Sequence, residues 1–157
     1  MSAAIATWSW RPSSLLLATA GTIVAAIGVY FIVFRPALLP EDLRFIGLSA
    51  TEVAAIRPRL APWLTLVFRV LGGYALATGL LTITLSATAF RSRDPIAAIG
   101  AAVAGASSVG VMAVANFALE SDFKWPLVAL ALIWLLGLAA FWLEGRTTPH
   151  RQFEKEN

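Results

Sequence analysis

The chain of 157 residues is 59% hydrophobic and only 13% charged, and its mean hydropathy is +0.77. A soluble domain is roughly 45–50% apolar and about 25% charged, so the composition excludes an ordinary soluble enzyme, a disordered tail and a nucleic-acid-binding domain. The apolar excess is concentrated in four long segments. This pattern predicts an all-α integral membrane protein, a single four-transmembrane-helix bundle.

The cysteine and histidine content excludes several kinds of functional site. The chain has no cysteine and one histidine, His150, which lies in the polar C-terminal tail. Disulfides, thiolate metal sites and iron–sulfur clusters are therefore excluded, and we expect no metal and no cofactor. The net charge of +3 does not indicate nucleic acid, because the basic residues lie at segment ends, where membrane proteins meet lipid headgroups.

The first predicted transmembrane helix covers about residues 13–34. Its length of about 33 Å is enough to cross the bilayer core, and Arg35-Pro36 ends it. The run is longer than the apolar core of a signal peptide and has no small-residue cleavage site after it. We therefore expect a retained helix.

Residues 35–62 form the only long connection and are amphipathic. Pro40 and the two acids after it are typical of a helix start, and Ser49 with Glu52 matches a capping box. The pattern predicts two short helices lying at the membrane interface. They would either cap the bundle or form a lid over a binding cavity.

The remaining helices are predicted at about 63–90, 95–119 and 126–143, followed by a polar tail at 144–157. The short link before Asp94-Pro95 makes the second and third helices an antiparallel hairpin, and Asp-Pro is a strong helix start. Five tryptophans fall at the two expected interfaces, as in aromatic belts; they are Trp63 and Trp125 at one interface and Trp8, Trp10 and Trp142 at the other.

Four helices place both termini on one side of the membrane. That side carries the compact pair Arg91 and Arg93, which favours the cytoplasmic side. Small residues recur along the third helix in two stripes, and such stripes let helices pack closely in lipid. We therefore expect the third helix at the centre of the bundle. The stripes are Ala98, Ala102, Ala106 and Gly110, and Ala97, Ala101 and Gly105.

The candidate site residues are Arg69, Asn116 and Glu120, with Tyr30 and Arg35 at the same membrane level. Ionisable groups inside membrane spans are costly and often functional. One interpretation is a structural ion pair between Arg69 and Glu120, supported by Asn116. The other is a pocket under the loop that holds the head of a lipophilic molecule. There Arg69 would bind an oxygen, Asn116 would orient it, and Glu120 would exchange a proton.

The second predicted helix also carries a family resemblance. Its sequence FRVLGGYALATGLL, with Arg69, Gly72, Gly73 and Gly79, is similar to the DoxX-like group of small four-helix bacterial membrane proteins. The resemblance implies a bacterial inner (plasma) membrane location and no intrinsic cofactor. Members of that group include accessory subunits of membrane oxidoreductases.

Two functions remain in view. The first is a non-enzymatic accessory or scaffold subunit that contacts membrane lipid and packs against a partner membrane protein or a second copy of itself. The alternative is a cofactor-free membrane enzyme or binder of a quinone, isoprenoid or sterol-like lipid, with Glu120 and Arg69 as the catalytic candidates. The shortage of catalytic groups favours the first.

Overall fold

The computed structural model describes residues 10–146; Trp8, His150 and the tail from residue 147 lie outside the described residues. Within 10–146 every element is a helix and there is no strand. The helices are α1 (Pro12–Val33), α2 (Pro40–Ile46), α3 (Ala50–Ile56), α4 (Leu60–Ala87), α5 (Pro95–Ala118) and α6 (Lys124–Arg146). The helices α1, α4, α5 and α6 are long and apolar enough to cross a membrane, which confirms the predicted set of four long helices.

Three of the approximate helix boundaries predicted from the sequence differ from those in the structure. Helix α4 begins about three residues earlier than predicted, at Leu60, and ends about three residues earlier, at Ala87. It ends there because the chain turns through Thr88 and through Arg93, whose φ is +69°. Helix α6 does not end at residue 143 but continues to Arg146. Its Glu144 accepts hydrogen bonds from the backbone N–H and the hydroxyl of Ser13, at 3.0 and 2.7 Å. The carboxylate thereby caps the first turn of α1.

The predicted helix starts in the connections are confirmed. Asp94 Oδ1 accepts a hydrogen bond from the backbone N–H of Ile96 at 2.9 Å. The Ser49 hydroxyl accepts one from the N–H of Glu52, and the Glu52 carboxylate accepts one from the N–H of Ser49. The Ser49 hydroxyl also donates to that carboxylate. The hydrogen bond from the Ser49 hydroxyl, and to a smaller extent the one from the Ser49 backbone N–H, hold the pKa of Glu52 below its ordinary value.

The packing order of the long helices differs from the prediction. Helix α1, not α5, lies between two neighbours, since it packs against α4 on one side and α6 on the other. Helix α5 packs against α6, and it contacts α4 only slightly despite the hairpin that joins them. Helices α4 and α5 therefore separate from each other after the hairpin.

Glycines set the contact between α1 and α4. On α1, Gly21 faces Gly79 of α4, and Gly28 faces Gly72. The two glycines of each helix are seven residues apart. A Cβ built on Gly28 would lie 2.4 Å from the backbone nitrogen of Leu76, so the two backbones touch. Close approach of this kind supplies van der Waals contact where lipid removes the hydrophobic driving force.

Substitution of Gly79 tests this contact. A Cβ at Gly79 would lie 2.4 Å from the nitrogen of Ala25 and 2.5 Å from the carbonyl oxygen of Gly21, whereas a Cβ at Gly73 has nothing within 4 Å. We expect Gly79→Ala to lower the unfolding free energy in mixed detergent by about 1–3 kcal/mol. The matched control Gly73→Ala should be neutral or raise it by up to about 1 kcal/mol. Equal effects of the two variants would contradict the glycine contact.

The contact between α5 and α6 depends on a buried tryptophan. Trp134 is 2% exposed, and its indole N–H donates to the carbonyl oxygen of Ala101 at 2.9 Å. A Cβ on Gly105 would collide with the indole ring, so the ring lies directly against the α5 backbone. Of the two small-residue stripes, the one containing Ala97, Ala101 and Gly105 is buried, whereas Ala102 and Ala106 of the other are exposed. A π-helical turn follows at Ala106–Gly110.

Candidate functional site

The residue Arg35, just after α1, is held by the first turn of α2. Its guanidinium Nη2 lies 3.1 Å from Oδ2 of Asp42, and Nη1 donates to the carbonyl oxygen of Pro36 at 3.0 Å. The same Asp42 oxygen accepts a hydrogen bond from the backbone N–H of Leu39 at 2.8 Å. Asp42 thus caps α2 and neutralises Arg35 at once.

The Arg35 side chain is only 6% exposed. Its guanidinium carbon lies 3.4 Å from the ring centroid of Phe68 on α4 and 5.2 Å from that of Phe31 on α1. Stacking on an aromatic face stabilises a cation that is out of water. The Nε of Arg35 is buried and has no hydrogen-bond partner among the described residues.

Two further contacts tie α2 to the turn between α5 and α6. Glu41 is 4% exposed and accepts a hydrogen bond from the Ser121 hydroxyl at 3.2 Å. Arg44 pairs with Asp122 at 3.2 Å, but both side chains are more than half exposed. We call Arg35, Glu41, Asp42 and Ser121 the loop clamp, because they join α2 to the end of α1 and to the turn between α5 and α6 at one end of the bundle.

The structure places Arg69 far from its predicted partners. Arg69 is exposed on α4, nine residues before Thr78, and about two and a half turns place these residues on opposite sides of the helix. Thr78 faces α5, since it lines a groove with Ala101 and Ala104. Arg69 therefore faces away from α5.

The ion pair expected between Arg69 and Glu120 is not formed in the part of the chain that the structure describes. Glu120 is exposed, with a φ of +51°, in the turn after α5. Counted from the hairpin between α4 and α5, Arg69 also lies about 10 Å nearer to the hairpin than Glu120 does. The side-chain amide of Asn116 donates to its own helix, to the carbonyl oxygen of Met112 at 2.9 Å.

Of the remaining candidates, only Arg35 belongs to a polar cluster. The ring of Tyr30 meets the edge of Phe31 at 5.9 Å between centroids. The structure therefore does not bring Arg69, Asn116 and Glu120 together. The polar contacts under the loop are made instead by Arg35 with residues of α2.

A second polar cluster joins the opposite ends of the long helices. Glu144, which caps the first turn of α1 through Ser13, also pairs with Arg93 at 3.4 Å. The guanidinium of Arg93 lies 4.1 Å from the ring centroid of Phe141. Beside this cluster, the hydroxyl of Ser14 is buried and has no partner among the described residues.

Both clusters hold helix ends in place. Their carboxylates accept hydrogen bonds from helix N-termini and from arginines, so they are bound rather than poised to react. Within residues 10–146, no three histidine, cysteine or acidic side chains lie together as a metal site would require. The two clusters therefore position the loop and the hairpin.

Apart from Arg35, the sequence did not predict the residues that form these two polar clusters; they are Glu41, Asp42, Ser121, Ser13, Arg93 and Glu144. One signal for Asp42 was present, because a carboxylate three residues after Leu39 at a Pro-started helix is placed to cap it. The role of Glu144 carries no such signal. A charge at the end of an apolar run is ordinarily the end of the helix.

One face of α4 is left uncovered by the other residues that the structure describes. Arg69 and Gly73 are four residues apart and lie on the same side of the helix, and a Cβ on Gly73 would meet open space. We call this surface the α4 outer face; its exposed residues are Leu66, Arg69, Gly73, Ala77 and Leu80.

The chain was compared with family models, curated proteins and solved structures, and none of the three comparisons found a match.

Proposed function

We propose that this chain is a small integral membrane subunit, a scaffold whose α4 outer face packs against a transmembrane helix of another protein. The observation that carries the proposal is the exposure of Arg69 within an apolar helix of 28 residues. Of the four long helices, α4 has the smallest buried share. A surface of this kind needs a further helix to cover it.

The electrostatic cost of Arg69 supports this assignment. Arg69 lies about 9 Å along the helix from Trp63, whose ring fits a membrane interface. An arginine at the middle of a bilayer costs about 2.5–3.5 kcal/mol on insertion scales, and snorkelling toward the headgroups lowers that cost. A partner carboxylate at the same depth offsets it more fully. Gly73, one turn deeper, leaves room for the partner backbone.

The partner is a different polypeptide rather than a second copy. In the described part of the chain, the acidic groups at or beside the long apolar helices are Glu144, which is bound to Ser13 and Arg93, Asp94, which caps α5 at the hairpin end, Asp122, which pairs with Arg44, and Glu120. In a side-by-side pair of copies, Glu120 would lie about 10 Å from the depth of Arg69. A complementary carboxylate must therefore come from another sequence.

The proposed setting is the bacterial inner membrane with both termini in the cytoplasm. Four membrane-crossing helices return the chain to its starting side, and Arg91 and Arg93 lie in the hairpin on that side, in accord with the positive-inside rule. The DoxX-like resemblance of the second helix supports an accessory role beside a membrane oxidoreductase.

The alternative of a lipid-transforming enzyme has less support. It required Arg69, Asn116 and Glu120 to share one pocket, and these side chains point to different surroundings. The proposal therefore assigns Arg69 to partner binding and gives Glu120 no catalytic role.

Photo-crosslinking in native membranes tests the proposal. A photoreactive phenylalanine analogue is placed at Gly73 or, as the matched control, at Gly100 of α5; a Cβ at either glycine meets nothing within 4 Å. We expect a discrete crosslinked product with a second polypeptide from position 73 and none from position 100. Equal products from both positions, a dimer of the chain alone, or no product from position 73 would contradict the proposal.

A further inference from the structure

A regular row of exposed residues runs along α4. Each step along the row is three or four residues, and every member is exposed. The large apolar members, which are a tryptophan, two leucines and a valine, are 53–60% exposed. We call this row the α4 seam; its members are Trp63, Leu66, Val70, Gly73, Ala77, Leu80 and Thr84.

The α4 seam is as long as the hydrocarbon core of a bilayer is thick. Trp63 and Thr84 are 21 residues apart, which is a rise of about 32 Å along the helix, against a hydrocarbon thickness of roughly 30 Å. The α4 outer face, from Leu66 to Leu80, is the middle of this row. A helix lying along the whole row would therefore contact α4 from one membrane interface to the other.

The spacing of the α4 seam indicates how such a helix would pack. Steps of three and four residues make a repeat of seven, and this repeat keeps facing a neighbour when two helices wind around each other at a shallow, left-handed angle. Helix α4 already follows a seven-residue repeat on its other side. There Gly72 and Gly79 contact α1, and Ser86, the next position of that repeat, is fully buried.

The end of the α4 seam nearer the hairpin is open. Thr84 borders a groove of about 450 Å³ between α4 and α5, and Ala101 and Ala104 of α5 line the other side of this groove. The groove exists because α4 packs on α1 while α5 packs on α6. Helix α5 therefore leaves room for a further helix beside Thr84.

Arg69 lies at the edge of the α4 seam. With Val70 and Ala77 at the a positions of the seven-residue repeat, Arg69 occupies a g position. Charged residues at this position pair across helix interfaces and determine the choice of partner and its direction. Arg69 forms no salt bridge within residues 10–146. A carboxylate at the same depth on the helix that covers the seam would neutralise its charge.

We propose that the α4 seam binds one transmembrane helix of another polypeptide, side by side with α4 and at a shallow left-handed angle. The partner helix presents apolar residues in a seven-residue repeat and a carboxylate at the edge of that repeat, opposite Arg69. This inference rests on the proposed function, because the same partner covers the α4 outer face. It adds the direction of the contact and the residue pattern of the partner.

The competing geometry is a right-handed crossing centred on the small residues Gly73 and Ala77. Helices that cross in this way meet at about 40°. Thr84 is 11 residues beyond Gly73, a rise of about 16 Å, and over this length such a crossing separates the two axes sideways by on the order of 10 Å. A contact at Thr84 therefore distinguishes the two geometries.

Photo-crosslinking along α4 in native membranes tests the inference. A photoreactive phenylalanine analogue is placed in the full chain at one position at a time, at Leu66, Val70 or Thr84 of the α4 seam. The matched control is Leu71, which neighbours Val70, is 48% exposed and lies outside the seam. The crosslinked partner segment is identified by mass spectrometry. The crosslink yield at Thr84 is also measured in Arg69→Gln and Arg69→Lys.

We expect Leu66, Val70 and Thr84 to give a product with the same polypeptide as Gly73, and Leu71 to give none. The crosslinked partner segment should contain an aspartate or glutamate. Arg69→Gln should lower the yield at Thr84 about tenfold, the effect of losing one interhelical polar contact in a membrane. Arg69→Lys keeps the charge and should keep most of the yield.

Several results would overturn the inference. Products from Leu66, Val70 and Gly73 without one from Thr84 would show a crossing contact, and the proposed function would stand. Equal yields from Val70 and Leu71 would show that the partner does not follow the seam. A partner segment without an acidic residue, or an unchanged yield in Arg69→Gln, would remove the paired carboxylate. A dimer of the chain alone, or no product from any position including Gly73, would contradict the proposed function as well.

Discussion

The substitution Asp42→Asn is expected to destabilise the folded chain by about 3 kcal/mol. The Arg35 guanidinium, 6% exposed, has Asp42 as its acidic partner at 3.1 Å, and its Nε is already unpaired. Removing one partner of a buried pair leaves an uncompensated charge, which typically costs about 3–5 kcal/mol. We expect the lower end of this range because the Asp42 side chain is 19% exposed.

The matched control is Asp122→Asn, because Asp122 binds Arg44 of the same short helix at nearly the same distance, 3.2 Å. Both side chains of that pair are more than half exposed, and exposed pairs contribute about 0–1 kcal/mol. The unfolding free energy in mixed detergent is the measurement. Similar losses in the two variants would mean that the loop clamp is not sealed from solvent.

The double variant Arg35→Met with Asp42→Leu separates charge from packing. It removes both charges and keeps an apolar chain against Phe68. We expect it to recover most of the stability lost in Asp42→Asn, since replacing a buried pair by apolar residues is often neutral or stabilising. A double variant as unstable as Asp42→Asn would show that the uncompensated charge of Arg35 is not the cause of the loss.

The second large effect is expected at Trp134. Trp134→Ala should lower the unfolding free energy by about 3–5 kcal/mol, the usual result of truncating a large buried aromatic residue. The ring fills the contact between α5 and α6, and the backbone of Gly105 lies directly against it. Trp134→Phe keeps most of that contact but leaves the Ala101 carbonyl without the indole donor, so it should lose about 1 kcal/mol from the hydrogen bond itself.

The control for Trp134 is Trp142, on the same helix and 53% exposed. Trp142 touches the ring of Phe141 at 5.5 Å between centroids, a contact worth at most about 1 kcal/mol. Truncating a buried aromatic residue typically lowers the unfolding free energy by about 3–5 kcal/mol, and truncating an exposed one by about 1 kcal/mol. In the same measurement, Trp134→Ala should therefore be less stable than Trp142→Ala by about 2 kcal/mol or more. Indistinguishable variants would contradict the assignment of Trp134 to the core.

The positions of the long helices could be predicted from the sequence because each is an apolar run long enough to cross a bilayer, bounded by charges or prolines. The caps at Ser49 and Asp94 could be predicted for a local reason, since each needs only side chains within three residues. The end of α6 could not, because Glu144 stays helical through its bonds to Ser13, a residue far away in sequence.

The packing order was harder to predict, because four apolar helices offer many similar pairings. The deciding contact is the fit of Gly21 and Gly28 against Gly72 and Gly79. The seven-residue spacing is visible in both segments, but nothing in either one names the other as its partner. Among these glycines of α4, Gly72 and Gly79 are required by close packing against α1, whereas a Cβ on Gly73 would meet open space.

The candidate site failed to assemble for a related reason. Placing Arg69 beside Asn116 and Glu120 assumed that two helices joined by a short hairpin touch along their whole length. Helices α4 and α5 diverge instead, and the rotation of α4 turns Arg69 outward. Among the candidates, Arg35 is the one found in a buried polar contact, and its partner Asp42 lies in the loop that had been expected to cover the site.

Binding of a partner protein at the α4 outer face is tested by native mass spectrometry of the chain extracted gently from its own membranes, for wild type and for Gly73→Leu. A Cβ at position 73 has no atom of the described residues within 4 Å, so the leucine variant should fold while blocking the α4 outer face. We expect a second polypeptide in fixed stoichiometry with wild type and its loss from Gly73→Leu. A wild-type chain that emerges alone, or a partner retained equally by Gly73→Leu, would contradict it.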